Sequence, residues 1–300
     1  MKKHIKILIV GGTGFIGYHL AKKCLSKKWQ VFSFSKNFPK KERFLKKVKY
    51  LIGDLSKKKD LKTLPQFFDY VVNLGGYVDH KNKIKTYKSH YIGCQNLSNY
   101  FLNKDIKSFI QLGSSGEYGS LISPQKEHLS GNPQSIYGKA KFLASEHLIK
   151  LFNKKKFPVT ILRLYQAYGP GQDINRFIPI VIDACIKNKN FDCSDGNQLR
   201  DFIHVQDVVN AIMKSLQNFK VKGEIINIGT GKPQKIKDII SFLVKRLKGG
   251  KPNFGKIKLR KDEILKIYPD ISKAKKILKW TAKIKFKSGL EKTIKSYEKK

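Results

Sequence analysis

The sequence predicts an α/β protein, a doubly wound parallel sheet of the Rossmann type with a smaller C-terminal α/β lobe. Three observations carry that expectation. Apolar runs of strand length alternate with longer segments of helical period, the first run ends in clustered glycines, and 300 residues suffice to bury a large core. Ile5 to Val10 reads as the first buried strand, and Phe15 to Lys27 follows with helical spacing. Further strands are expected at Gln30 to Ser35, Lys49 to Ile52, Tyr70 to Leu74, Ser108 to Leu112 and Val159 to Leu164, and an amphipathic helix over Tyr137 to Asn153. After Leu164 turn signals thicken, at Tyr168-Gly169-Pro170-Gly171, Ser194-Asp195-Gly196-Asn197 and Gly249-Gly250. The expected division is therefore a sheet domain over 1–167 and a lobe over 168–300, with about 200–231 packing back on the first domain.

Charge narrows the partners. The formal net charge is +40, which invites a nucleic-acid reading through counterion release. Only six of the 62 basic residues are arginine, however, and phosphate and base contacts favour the bidentate guanidinium. The lysines lie in short dispersed runs such as Lys57-Lys58-Lys59 and Lys154-Lys155-Lys156, so they read as a solvated surface, with no nucleic acid as partner. Cys24, Cys94, Cys185 and Cys193 form no CxxC pair and no metal-type spacing, which fits thiols in a reducing compartment and no metal. The apolar stretch Ile7 to Val10 is too short for a signal peptide and no segment reads as a membrane span, so a cytoplasmic location is expected.

The first strand runs into Gly11-Gly12-Thr13-Gly14-Phe15-Ile16-Gly17 and then a helix, the setting in which a glycine turn cradles a pyrophosphate at a helix N-terminus. The end of the second strand selects the cofactor. An NAD site carries an acid about twenty residues past the glycines to accept from the ribose 2′-hydroxyl. Here Ser35 stands there, with Lys36 after it and Lys40 and Lys41 close behind, so NADP is expected and NAD is the alternative.

Tyr137 and Lys141 lie four residues apart in a helical segment, hence on one face. A phenol carries protons poorly at neutral pH without a cation to stabilise its phenolate, and Lys141 supplies one. The preceding strand ends in Gly113-Ser114-Ser115-Gly116-Glu117-Tyr118-Gly119, which places a serine hydroxyl at the carboxyl edge of the sheet, where ligands bind in such folds.

With these segments the chain resembles the extended short-chain dehydrogenase/reductase family, the branch of nucleotide-sugar epimerases, dehydratases and reductases. The likeness also takes in Gly53-Asp54-Leu55, Asn73-Leu74-Gly75-Gly76, Leu162-Arg163-Leu164, Arg200-Asp201-Phe202-Ile203-His204-Val205 and Asn227-Ile228-Gly229-Thr230-Gly231. The resemblance implies that Tyr137 is the acid/base at the sugar 4-oxygen, that Lys141 binds the nicotinamide ribose, and that Ser114 hydrogen-bonds the same oxygen. The glycine turn and the end of the second strand point to cofactor contacts from Gly11, Thr13, Gly14, Phe15, Ile16, Gly17, Ser35 and Lys36, and the resemblance adds Asp54, Leu55, Leu74, Gly75 and Gly76. On the substrate side it implies Ser115, Asn175, Arg176, Phe191 and Arg200, the last on the diphosphate. A homodimer is usual for proteins this chain resembles.

Departures from the pattern bear on the reaction. Sugar 4,6-dehydratases resemble one another in an Asp-Glu pair where this chain has Ser115 and Gly116, so elimination lacks its acid and base. His90 stands where an asparagine is frequent, and Gln166 likewise. Glu117 and His80 are secondary candidates for a second proton carrier. The expected activity is NADPH-dependent reduction at C4 of a 4-keto-6-deoxy nucleotide-diphosphate sugar. The alternative is an NAD-dependent nucleotide-sugar 4-epimerase, and behind it a nucleic-acid-binding protein on a dehydrogenase scaffold.

Overall fold

The computed structural model describes residues 5–77, 79, 81–259 and 263–298. Seven parallel strands form one sheet: β1 (Lys6–Val10), β2 (Gln30–Ser35), β3 (Val48–Ile52), β4 (Tyr70–Asn73), β5 (Ser108–Ser114), β6 (Val159–Leu164) and β7 (Ile225–Ile228). Their spatial order is β7-β6-β5-β4-β1-β2-β3, so the winding reverses between β1 and β4. Ligands bind at such a switch point, beyond the carboxyl ends of the strands. β5 runs two residues past the expected Leu112, because Gly113 and Ser114 keep pairing with Arg163 and Leu164 of β6.

Both faces of the sheet are covered, which is why its strands read as nearly continuous apolar runs rather than alternating ones. In β1, Ile7 and Ile9 meet Leu20, Ala21 and Cys24 of helix α1 (Phe15–Ser26) on one face. Leu8 and Val10 join the opposite core with Leu97 and Phe101 of α2 (Gly93–Phe101) and Ala144 and Leu148 of α3 (Ile136–Lys155). A second helix, α5 (Val205–Leu216), lies on the α1 side through Val208, Ile212 and Leu216.

A separate apolar core builds the C-terminal lobe. It gathers Ile178 and Ile182 of α4 (Phe177–Ile186), Ile240 and Leu243 of α6 (Ile236–Leu247), and Leu290 and Ile294 of α7 (Phe286–Glu298). The chain between the lobe's helices returns to the sheet as β7, beside β6. No described helix is long and apolar enough to cross a membrane.

Candidate active site

The glycine turn closes by contacts that only hydrogen at Cα permits. Gly11 has φ +76°, and a Cβ there would stand 3.0 Å from the Gly75 amide nitrogen, so the loops after β1 and β4 touch at the switch point. A Cβ on Gly17 would collide with the Gly11 carbonyl and lie 2.6 Å from the Gly12 Cα. Gly14 caps α1 with no side-chain hydrogen bond, which leaves the first amides of the helix to an anion. Thr13 and Phe15 to Gly17 line this N-terminus, and the cradle fits a pyrophosphate.

The neighbouring loops are held from below. Asn73 Oδ1 accepts from the Gly75 amide at 3.1 Å, and its side-chain amide donates to Gln111 at 2.8 Å. Leu74 lies at the end of β4, and buried Leu55 underlies the loop, with its Cδ2 3.7 Å from where a Gly75 Cβ would be. At the end of β2 the Ser35 hydroxyl faces the turn, accepting from the Thr13 amide at 3.4 Å. The Lys36 ammonium sits 3.1 Å from Asp54 Oδ2. Burial pushes the Asp54 carboxyl up, but hydrogen bonds from Ser56 and Lys36 outweigh it and hold the group below its ordinary range.

Beyond β5 and α3 a second set converges on the same edge. Ser135 starts α3 by accepting from the Gly138 amide at 3.0 Å, which places Tyr137 in the first turn, half-buried. Ser114 caps the Ser115–Tyr118 turn, its hydroxyl oxygen accepting from the Gly116 amide at 3.1 Å. A Cβ on Gly116 would lie 3.4 Å from Ser114 Oγ and 3.6 Å from the Tyr137 ring, so the three residues are neighbours. Lys141, 4% exposed, donates to the Leu112 carbonyl at 2.6 Å and keeps two further N–H groups. His90, carried on a π-helical turn over Lys88–Ile92, packs between Gly76 and the Tyr137 ring.

Glu117 proves not to be a proton carrier. It is fully buried and accepts from the Ser114 amide (2.7 Å), Ser145 Oγ (2.8 Å) and Arg163 Nε (2.8 Å), facing the core under the sheet edge instead of the cleft. His80 lies outside the described residues. Ser115 opens the turn after Ser114 and is half-buried. On the lobe, Arg200 is paired with Glu263 and donates to the Leu199 and Leu265 carbonyls. Asn175 and Arg176 are exposed just before α4, and Phe191 packs on the lobe core. Sequence reasoning missed Arg43, whose guanidinium reaches the Gly171 carbonyl and the Asp173 carboxylate. The signal available was its rarity as an arginine in a lysine-rich chain. Among the described residues, no cluster of His, Cys, Asp and Glu gathers as a metal site.

A family model described as the NAD dependent epimerase/dehydratase family matches residues 7–229. The chain belongs to this family. A protein of Methanocaldococcus jannaschii that carries a provisional UDP-glucose 4-epimerase name is 31% identical over 96% of this chain and 97% of its own. Among solved structures, the UDP-glucose 4-epimerase of Thermotoga maritima, determined with UDP-glucose, superposes with a TM-score of 0.92 at 25% identity, covering 98% of this chain and 99% of that one. The UDP-glucuronic acid 4-epimerase of Bacillus cereus, determined with UDP-glucuronic acid and NAD, gives 0.87 at 25% identity, with 98% and 99% covered. Membership in an epimerase/dehydratase family makes the chain an enzyme.

Proposed function

We propose that the chain is an NAD-dependent 4-epimerase of a UDP-linked sugar. The observation that carries this reading is the likeness along nearly the whole chain to UDP-sugar 4-epimerases, in a site where Ser114 and Tyr137 share an edge with the glycine turn. The reductase expectation rested on Ser35 where NAD sites have an acid and on the absent dehydratase pair at Ser115 and Gly116. The Lys36 ammonium, however, leans on the Asp54 carboxylate, and that carboxylate opposes a 2′-phosphate. Ser35 suits a ribose hydroxyl, as donor or acceptor, without any added charge.

Bound NAD would supply a hydride acceptor, and then a donor, at C4 of the sugar. Tyr137 takes the proton of the 4-hydroxyl and later returns it to the same oxygen. Ser114, its oxygen already accepting from Gly116, donates its own proton to that oxygen and fixes the distance. Lys141 holds its ammonium on the Leu112 carbonyl, one helical turn from Tyr137, and would offer its remaining N–H groups to the nicotinamide ribose. The amides at the start of α1 would hold the pyrophosphate, with Gly75 and Gly76 leaving the neighbouring loop free of side chains. Arg200 holds the substrate diphosphate by exchanging Glu263 for phosphate oxygens. Asn175, Arg176 and Phe191 are assigned to the nucleotide end. Ser115 and Gly116 offer no acid or base for dehydration.

The test supplies the purified chain with UDP-glucose and UDP-glucuronic acid, adds no nicotinamide, and follows C4 inversion by proton NMR. Inversion with no net change in reduced-nicotinamide absorbance is expected. Stoichiometric NADPH oxidation with a 4-keto nucleotide sugar, and no inversion of either UDP-sugar, would sink this reading in favour of the reductase.

A further inference from the structure

Four of the six arginines, Arg43, Arg163, Arg200 and Arg246, hold a carboxylate. In a chain that otherwise uses lysine, arginine marks places where a planar group with several fixed donors is needed. Arg43 is the one of these in the β2–β3 connection, flanked by Lys40, Lys41, Lys46 and Lys47. Its side chain is only 12% exposed, and Nη2 donates both to the Gly171 carbonyl at 2.8 Å and to Asp173 Oδ1 at 2.9 Å.

These two bonds join parts of the chain that the sheet keeps apart. Arg43 follows β2, on one side of β1. Residues 169–173 follow β6, on the other side of β1. Helix α1 lies between them, and His19 in its second turn contacts the Pro170 carbonyl at 2.9 Å. The bridge therefore crosses α1 close behind its uncapped N-terminus. The loop is also anchored from the lobe, where Tyr297 donates to the Gln172 carbonyl at 2.6 Å and Gln172 donates to the Ala167 carbonyl at 2.8 Å.

We propose that Arg43 is a cofactor-retaining residue, whose bridge to Gly171 and Asp173 ties the two walls of the dinucleotide cleft together and slows release of the dinucleotide. The proposal rests on the reading that this site holds NAD. An enzyme whose turnover consumes no cofactor gains from keeping it bound, and here the bridge does so from outside the binding contacts. Both acceptors are served by the two N–H groups of one nitrogen, so a lysine at position 43 keeps the charge but must reach them on a shorter, more flexible stem without the guanidinium's fixed plane.

The experiment loads the purified full chain with NADH, mixes it with excess NAD and follows the loss of bound-NADH fluorescence, with no sugar present. Arg43→Ala and Arg43→Lys are expected to release NADH about tenfold faster or more, the scale of one lost set of charge-assisted hydrogen bonds. Asp173→Asn, which keeps the Gly171 bond, should fall between them and the parent chain. Arg246→Ala, which breaks the remote Glu291 pair, should release at the parent rate. Equal release rates for the parent, Arg43→Lys and Asp173→Asn overturn the proposal, even if Arg43→Ala fails to fold. Because no sugar is involved, a chain that fails to epimerise but releases NADH faster as an Arg43 variant overturns only the assigned reaction. An active epimerase with unchanged release overturns only the bridge.

Discussion

The His90 imidazole meets the Tyr137 ring edge-on, with centroids 5.0 Å apart and planes at 81°. Its Nε2 donates to the Tyr77 carbonyl at 3.2 Å, and a Cβ on Gly76 would fall within the imidazole. His90 thus keys the cofactor loop to the phenol of α3. An edge-to-face contact is worth about 0.5–1.5 kcal/mol, so His90→Ala should lower kcat by roughly 3–10-fold and leave KM for the sugar nearly unchanged. Asparagine, which can still donate to the Tyr77 carbonyl, should recover part of the loss. Steady-state kinetics on the three proteins decide it, and a KM effect without a kcat effect counts against the positioning role.

Replacement of Tyr137 by phenylalanine removes the proposed proton carrier but leaves the ring against His90. Turnover should fall by about 10²–10⁴-fold, the range for loss of a general acid/base, with NAD bound as before. Cofactor content after gel filtration, measured beside activity, separates this outcome from a misfolded site.

Glu117 was a candidate proton carrier by sequence and is an internal counter-ion by structure. Its removal strands Arg163, which is 3% exposed and lies 4.5 Å over the Tyr118 ring. Glu117→Ala should therefore cost about 3–5 kcal/mol of folding stability, as expected for a buried charge left without its partner. Urea unfolding checks this, and a variant as stable as the parent would show that the pair is dispensable.

Much of the sheet was legible because its strands are buried on both faces and punctuated by turns. The six expected strands all occur, Gln30–Ser35 and Val159–Leu164 with the expected bounds and the other four with one end shifted by a residue or two, since fraying ends carry little apolar signal. β7 escaped as a strand because Ile225–Ile228 is only four residues long and sits among turns. In the site, glycine spacing and the Tyr137 to Lys141 step are local and could be read directly. The fate of Glu117 was not legible, because it depends on Arg163 and Ser145, 46 and 28 residues away. The pairing of Lys36 was hidden for the same reason. Its charge was visible, but its partner Asp54 lies one strand over.

His204 gives the fold an acid sensitivity. It is 1% exposed, and burial pushes its imidazole down to about 4, with Lys292 and His19 adding repulsion. An unfolded histidine titrates near 6.5, so between the two values the unfolded state binds more protons. Stability from this residue is complete above about pH 6.5 and is lost as pH falls toward 4, by up to about 3 kcal/mol. Unfolding free energies measured across that window should slope upward with pH, and His204→Gln should flatten the slope. An unchanged slope would assign the sensitivity elsewhere.

Helix α7 positions the loop that faces α1. Gly289 makes room for the Tyr168 hydroxyl, and Tyr297 holds the Gln172 carbonyl, so the loop that reaches Arg43 takes its position from a helix far along the chain. The glycine turn precedes α7 by about 270 residues, so during synthesis it forms long before that loop can settle. If the Arg43 bridge retains the dinucleotide as proposed, a chain lacking α7 would own a phosphate cradle without the means to hold what enters it.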